Sequence, residues 1–128
     1  MAGASEWFVG GAITYANEAK IAILGVDPEV IATDGAVSAA CVAQMSEGAR
    51  RITGATWGVG ITGIAGPGGG TPDKPVGLVW EGIAGPAGVA TYEQRLVRAD
   101  REGIRRRAQS AALHHLRVTL QGRPAGSG

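Results

Sequence analysis

Histidine is nearly missing from this chain. The two present, His114 and His115, are neighbours; on a helix, adjacent side chains point in different directions and make a poor ligand pair. A Ser-His-Asp triad or a histidine metal site is therefore excluded unless one of them serves alone. Cysteine is scarcer still: Cys41 stands alone, which rules out an internal disulfide and any cysteine-based metal cage. Charge of one sign is lacking too. Twelve basic residues face eleven acidic ones for a net charge of +1, so nothing global draws the protein to nucleic acid or to an anionic membrane. No apolar run approaches the length of a membrane span, and the N-terminus lacks the basic start and apolar core of a signal peptide. The cytoplasm is the expected compartment.

Glycine is abundant instead, with 22 in 128 residues. That length makes one domain with a real core, and so many glycines favour an α/β protein with tight turns over a helical bundle. They are densest between Gly58 and Gly77, where a short run of small and β-branched residues breaks at Thr62-Gly63 into a loop. Such density implies unusual backbone angles, a closely approaching ligand or disorder. The loop lies between two strand-like runs, Val59–Ile64 and Val76–Ile83, which favours a shaped binding loop.

Around it the chain reads as strand, helices, strand, hairpin, helix. Trp7–Tyr15 reads as a strand holding the Gly10-Gly11 pair. Asn17 is placed to cap a helix Glu18–Leu24 that Gly25 stops, and Asp27-Pro28 opens a short second helix. Ser38 caps a third, in which Val42, Met45, Ala49 and Ile52 form a buried stripe and Gln44, Glu47, Arg50 and Arg51 face water. Trp57–Ile64 is a strand, and Val76–Ala84 pairs with Val89–Val97 across a Gly85-Pro-Ala-Gly88 turn. Asp100 caps the last helix, with Ile104, Ala108, Ala112, Leu116 and Leu120 four apart and Ala111 and Leu113 widening the stripe. The expected fold is a three-layer α/β/α domain with a mixed sheet over residues 1–120, followed by a flexible tail, 121–128.

Two nucleotide-binding patterns fail. Gly58-x-Gly60-x-x-Gly63 has the letters of a dinucleotide fingerprint but lies inside a strand with no long helix after it. Lys74 lacks the Gly-Lys-Ser/Thr context of a Walker A loop. Backbone N–H groups of a glycine-rich turn after a strand can nonetheless cradle an anion. Tyr15, Asn17 and Lys20 gather polar groups at one junction, with Lys20 at the helix end that disfavours a cation. Arg101, in the first turn of the last helix, is misplaced in the same way, and an anion shared with the glycine loop accounts for it. Arg105–Arg107 fan around the helix as a solvated face. Cys41, on the buried side of a helix start, reads as packing rather than as a nucleophile.

The segments Gly3-Ala-Ser-Glu-Trp-Phe8, Gly11-Ala-Ile-Thr-Tyr-Ala-Asn-Glu-Ala-Lys20, Asp34-Gly-Ala-Val-Ser38, Ile61-Thr-Gly-Ile-Ala-Gly-Pro-Gly-Gly-Gly-Thr-Pro-Asp-Lys-Pro-Val-Gly77 and Asp100-Arg101 resemble the C-terminal domain of the CinA proteins, the nicotinamide-nucleotide amidohydrolase family. The resemblance covers residues 3 to about 118. It implies a compact α/β/α fold and hydrolysis of the carboxamide of nicotinamide mononucleotide to ammonia and nicotinic acid mononucleotide. It implies no cofactor and no metal. By the same resemblance Ser5 is the nucleophile and Lys20 the base, with Tyr15 beside them. Thr62, the loop glycines Gly63, Gly66 and Gly68, and Arg101 fall where that family holds its substrate. A desolvated lysine can take a serine's proton where no histidine is available.

Ahead of the matched segments the family carries a long helix, a strand and an Ala-Glu-Ser-Cys-Thr-Gly-Gly segment that this sequence lacks. The expectation is a sheet short of a neighbour, an exposed edge, and a homo-oligomer. The other functional class compatible with these residues is a nucleotide-binding or assembly module that holds a phosphate in the same loop and hydrolyses nothing. In either case the partner is a small-molecule nucleotide.

Overall fold

A computed structural model describes residues 8–96 and 99–122. Four helices and a three-stranded sheet follow one another as α1 (Asn17–Leu24), α2 (Pro28–Asp34), α3 (Ala39–Thr53), β1 (Gly58–Gly63), β2 (Leu78–Gly85), β3 (Gly88–Arg95) and α4 (Arg101–Leu120). The strands form an antiparallel meander in the order β1-β2-β3, with Gly58 opposite Ala84 and Leu78 opposite Arg95. Helices cover both faces, giving the α/β/α arrangement. The sheet is antiparallel rather than mixed, and the strand expected of Trp7–Tyr15 is absent among the described residues, since residues 8–15 form no strand.

Local chemistry sets most boundaries. The Asp27 carboxylate accepts from Glu29 N at 2.9 Å, Ser38 Oγ from Cys41 N at 3.1 Å and Asp100 Oδ1 from Gly103 N at 2.7 Å; each satisfies an N–H that a helix start leaves bare. Gly25 and Gly54 close α1 and α3 in the left-handed region, both at φ 68°. Asn17 is not a cap. Ala16 holds that position without a side-chain bond, and Asn17 is already helical. Leu78 N bonds back to Pro75 O, so Val76 and Gly77 belong to a turn and β2 begins two residues after Val76.

Glycine shapes the layer between α3 and the sheet. A Cβ on Gly60 or Gly82 would stand 2.7 Å or 2.2 Å from Ser46 Oγ, and one on Gly58 2.2 Å from Ser46 O. These hydrogen-sized positions let α3 lie close on β1 and β2. Gly48 does the same between helices, where a Cβ would meet Leu24 O at 2.0 Å. On this face the core holds Leu24, Val26, Cys41, Val42 and Met45. On the other, Val79 packs with Ile104 and Ala108 of α4.

Two helical stripes end sooner than their spacing promises. Ile52 is exposed because the final turn of α3 runs past Gly58, where the sheet begins. In α4, Leu120 and Leu113 are exposed while Val118 is buried. A spacing of four advances about 400° at about 100° per residue, so a four-apart series drifts about 40° with each step. By Leu120 the series has left the face that Ile104 began, whereas His115 and Val118 have come back to it.

Candidate functional site

The loop from Ile64 to Gly77 bridges two helix starts. At one end the Arg101 guanidinium donates to Gly66 O at 3.0 Å, tying the loop to the N-terminus of α4. This carbonyl explains why a cation is tolerated in the first turn there. At the other end the Lys74 ammonium donates to Asp34 O, beside the turn that leads into α3. The loop folds on itself between these points through Thr71 N to Lys74 O at 2.9 Å and Lys74 N to Thr71 Oγ1 at 3.0 Å. Gly66 and Gly69 adopt φ 76° and 91°, angles that side chains rarely take.

Beneath the loop, at the start of α3, lies a buried polar group. Thr62, at the end of β1, is buried and donates its hydroxyl to Ala36 O at 2.9 Å. Ser38 Oγ donates to Gly35 O at 2.8 Å while capping α3. Lys20 is only 7% exposed, and its amine donates to Thr14 O at 2.6 Å. Burial pushes the Cys41 thiol up, and the ammonium groups of Lys20 and Lys74 are both close enough to oppose that rise. Cys41 is thus a packed thiol, as its position in the sequence suggests. Two lysines, a threonine and a helix N-terminus converge here.

The expected site residues divide accordingly. Lys20 and Thr62 are both buried around the start of α3, and Arg101 holds the loop that carries Gly63, Gly66 and Gly68. Tyr15 is 75% exposed and forms no part of the buried group. Ser5 lies outside the described residues. Lys74 is the residue that the motif analysis left without a role; its signal was its place among the prolines closing the loop. A cavity of about 210 Å³ lies elsewhere, between the β1 edge and α4, lined by Ile61, Gly63, Val79, Ile104 and Ala108 among others.

The same α4 face carries a second buried group. Glu81 is fully buried; its Oε2 lies 3.2 Å from His115 Nδ1, and its Oε1 has no partner among the described residues. Desolvation raises the carboxyl to about 7 and lowers the imidazole. Both shifts disfavour ions, so where both groups are neutral the contact is a hydrogen bond rather than a salt bridge. Tyr92 stacks on the His115 ring at 3.9 Å.

The model of the CinA C-terminal domain family matches residues 1–120. The chain belongs to the CinA C-terminal domain family. A CinA-like protein of a Cyanothece species is 53% identical over 119 residues, covering 92% of this chain and 28% of that protein. One from Anaeromyxobacter dehalogenans is 52% identical over 119 residues, covering 93% and 29%. This chain therefore spans less than a third of the length of those relatives. Among solved structures, the competence/damage inducible protein CihA of Agrobacterium tumefaciens superposes with a TM-score of 0.80 at 42% identity, over 82% of this chain and 64% of that one. A CinA superfamily protein of Enterobacter cloacae gives 0.81 at 30% identity, over 86% and 64%. Among the described residues, no helix is long and apolar enough to cross a membrane, and no cluster of His, Cys, Asp and Glu could hold a metal ion.

Proposed function

We propose that this CinA-family domain is an amidohydrolase that converts nicotinamide mononucleotide to nicotinic acid mononucleotide and ammonia, working as a homo-oligomer. The observation that carries the reading is the buried Lys20 amine, held on a main-chain carbonyl beside the start of α3. An isolated lysine gains nothing from such a place, whereas a base for a serine hydroxyl needs seclusion from water. In the proposed reaction the Ser5 hydroxyl attacks the carboxamide carbon and its proton passes to the Lys20 amine. The C–N bond then breaks, and ammonia leaves with that proton. Water next attacks the ester, with Lys20 again taking a proton, and the serine is restored as the acid departs. Thr62 and the main-chain N–H groups of Gly63, Gly66 and Gly68 orient the nucleotide, and Arg101 balances its phosphate.

The second reading, a module that binds the nucleotide without hydrolysing it, draws on the two ties that already shape the loop, from Arg101 to Gly66 and from Lys74 to Asp34. Both readings require recognition of phosphate. Only the first forms an ester on Ser5. Acid quenching of the protein mixed with nicotinamide mononucleotide, followed by peptide mass spectrometry, separates them: the hydrolase reading expects an acyl adduct on the Ser5 peptide and none in Ser5→Ala. Nucleotide binding with neither adduct nor ammonia leaves the binding module. Calorimetry adds the phosphate test, since equal or absent heats with nicotinamide mononucleotide and nicotinamide riboside would remove both readings.

A further inference from the structure

The two halves of a strand pairing sit on this molecule unjoined. The first half is the outer edge of β1, which pairs only with β2 among the described residues. Ile64 donates its N–H to Leu78 O at 2.9 Å and accepts from Gly77 N at 2.7 Å, so its main chain points toward β2. The two-residue period of a strand turns Gly60 and Thr62 the same way, and it turns the N–H and C=O of Val59, Ile61 and Gly63 outward. The largely apolar cavity of about 210 Å³ opens at this edge, floored by Val79, Ile104 and Ala108.

The second half is the segment 8–13. Phe8, Val9 and Ile13 are 71%, 60% and 79% exposed, and among the described residues no main-chain hydrogen bond joins this segment to the sheet. Its far end is anchored, because Thr14 O accepts from the buried Lys20 amine. The segment contains no proline and no charge. Fully extended, its six residues span about 20 Å, as do the six of β1.

We infer that the segment 8–13 of one copy adds as a strand to the outer edge of β1 in a second copy, and that the exchange is reciprocal. Each copy offers both an edge and a strand, so a two-fold pair closes with every half engaged. Main-chain bonds to Val59 and Ile61 hold the added strand. Its apolar side chains on the α4 side cover the cavity, and those on the other side lie toward α3. The inference shares the homo-oligomer with the amidohydrolase reading but uses no catalytic residue, and its readout is mass rather than turnover.

Light scattering on the full chain tests it, with two single variants. Ile61→Pro deletes an outward N–H and leaves the bonds to β2 untouched, while Ile13→Lys places a charge on the exposed segment. The unaltered chain should run at twice 12.9 kDa and both variants at the single mass, with helical circular dichroism retained. A unit-mass unaltered chain would overturn the inference, and so would a dimer that survives both substitutions. If a variant fails to fold, mixing chains bearing Gly10→Cys or Gly11→Cys, the positions that face residue 61 when the two six-residue stretches align, with differently tagged chains bearing Ile61→Cys decides the matter. A mixed disulfide dimer is expected. Its absence, or a disulfide formed only within a chain carrying both cysteines, contradicts the exchange.

Discussion

Glu81 is the residue whose chemistry departs furthest from its surroundings, being the single charge-bearing side chain of β2. Its carboxyl titrates at about 7 rather than 4.5 because burial penalises the ion. The folded protein therefore holds a proton that the unfolded chain has lost, and stability falls as pH rises from 4.5 to about 7. His115 acts in the opposite sense, since its lowered value destabilises the fold below about 6.5 and not above it. Above that pH only the carboxylate's penalty remains. Glu81→Gln should accordingly be more stable than the unaltered protein at pH 8, by up to about 3 kcal/mol at about 1.36 kcal/mol per unit. The advantage should vanish near pH 4.5. Urea midpoints at the two pH values measure this, and an equal difference at both would contradict the buried neutral pair.

Lys20 and Arg101 carry the other residue-scale tests. Arg101→Ala removes the tie to Gly66, and loss of a charged hydrogen bond of about 1.5 kcal/mol should raise KM for the nucleotide about tenfold while leaving kcat nearly unchanged. An unaltered KM would free Arg101 of any part in binding. Lys20 stood out in the sequence as a cation at a helix start, whereas Thr62 was singled out only by the family resemblance. Glu81 was hidden: a glutamate in a strand normally faces water, and its burial depends on α4, which arrives much later in the chain.

At the scale of elements, what was local was legible. The Asp27, Ser38 and Asp100 caps and the Gly25 stop involve residues within a turn of one another, and all three caps form their bonds. The glycines of β1 show the limit. Their density pointed to a ligand, yet Gly58 and Gly60 make room for α3, and the ligand question belongs to the loop beyond Gly63. Gly60→Ala or Gly82→Ala should cost about 1–3 kcal/mol, as overpacking does, because the added methyl meets Ser46 Oγ. Gly68→Ala, with open space around it, should leave the melting temperature nearly unchanged. Thermal unfolding of these variants distinguishes the packing role from the loop role.

The described residues form one sheet between two helical layers, and Lys20, Thr62 and Arg101 lie at the loop end, where α3 and α4 begin. The strand expected of Trp7–Tyr15 has the right letters, but a strand exists only where a neighbour accepts its hydrogen bonds. No sequence pattern supplies that neighbour. The central claim, that a buried lysine at the start of α3 serves amide hydrolysis, is tested most directly by ammonia release from nicotinamide mononucleotide, comparing the unaltered chain with Lys20→Ala. Steady release that falls by about 10²–10⁴-fold in the variant, with its fold intact, is the predicted result. Release at an unchanged rate in Lys20→Ala, or none from the unaltered folded chain, would contradict the account.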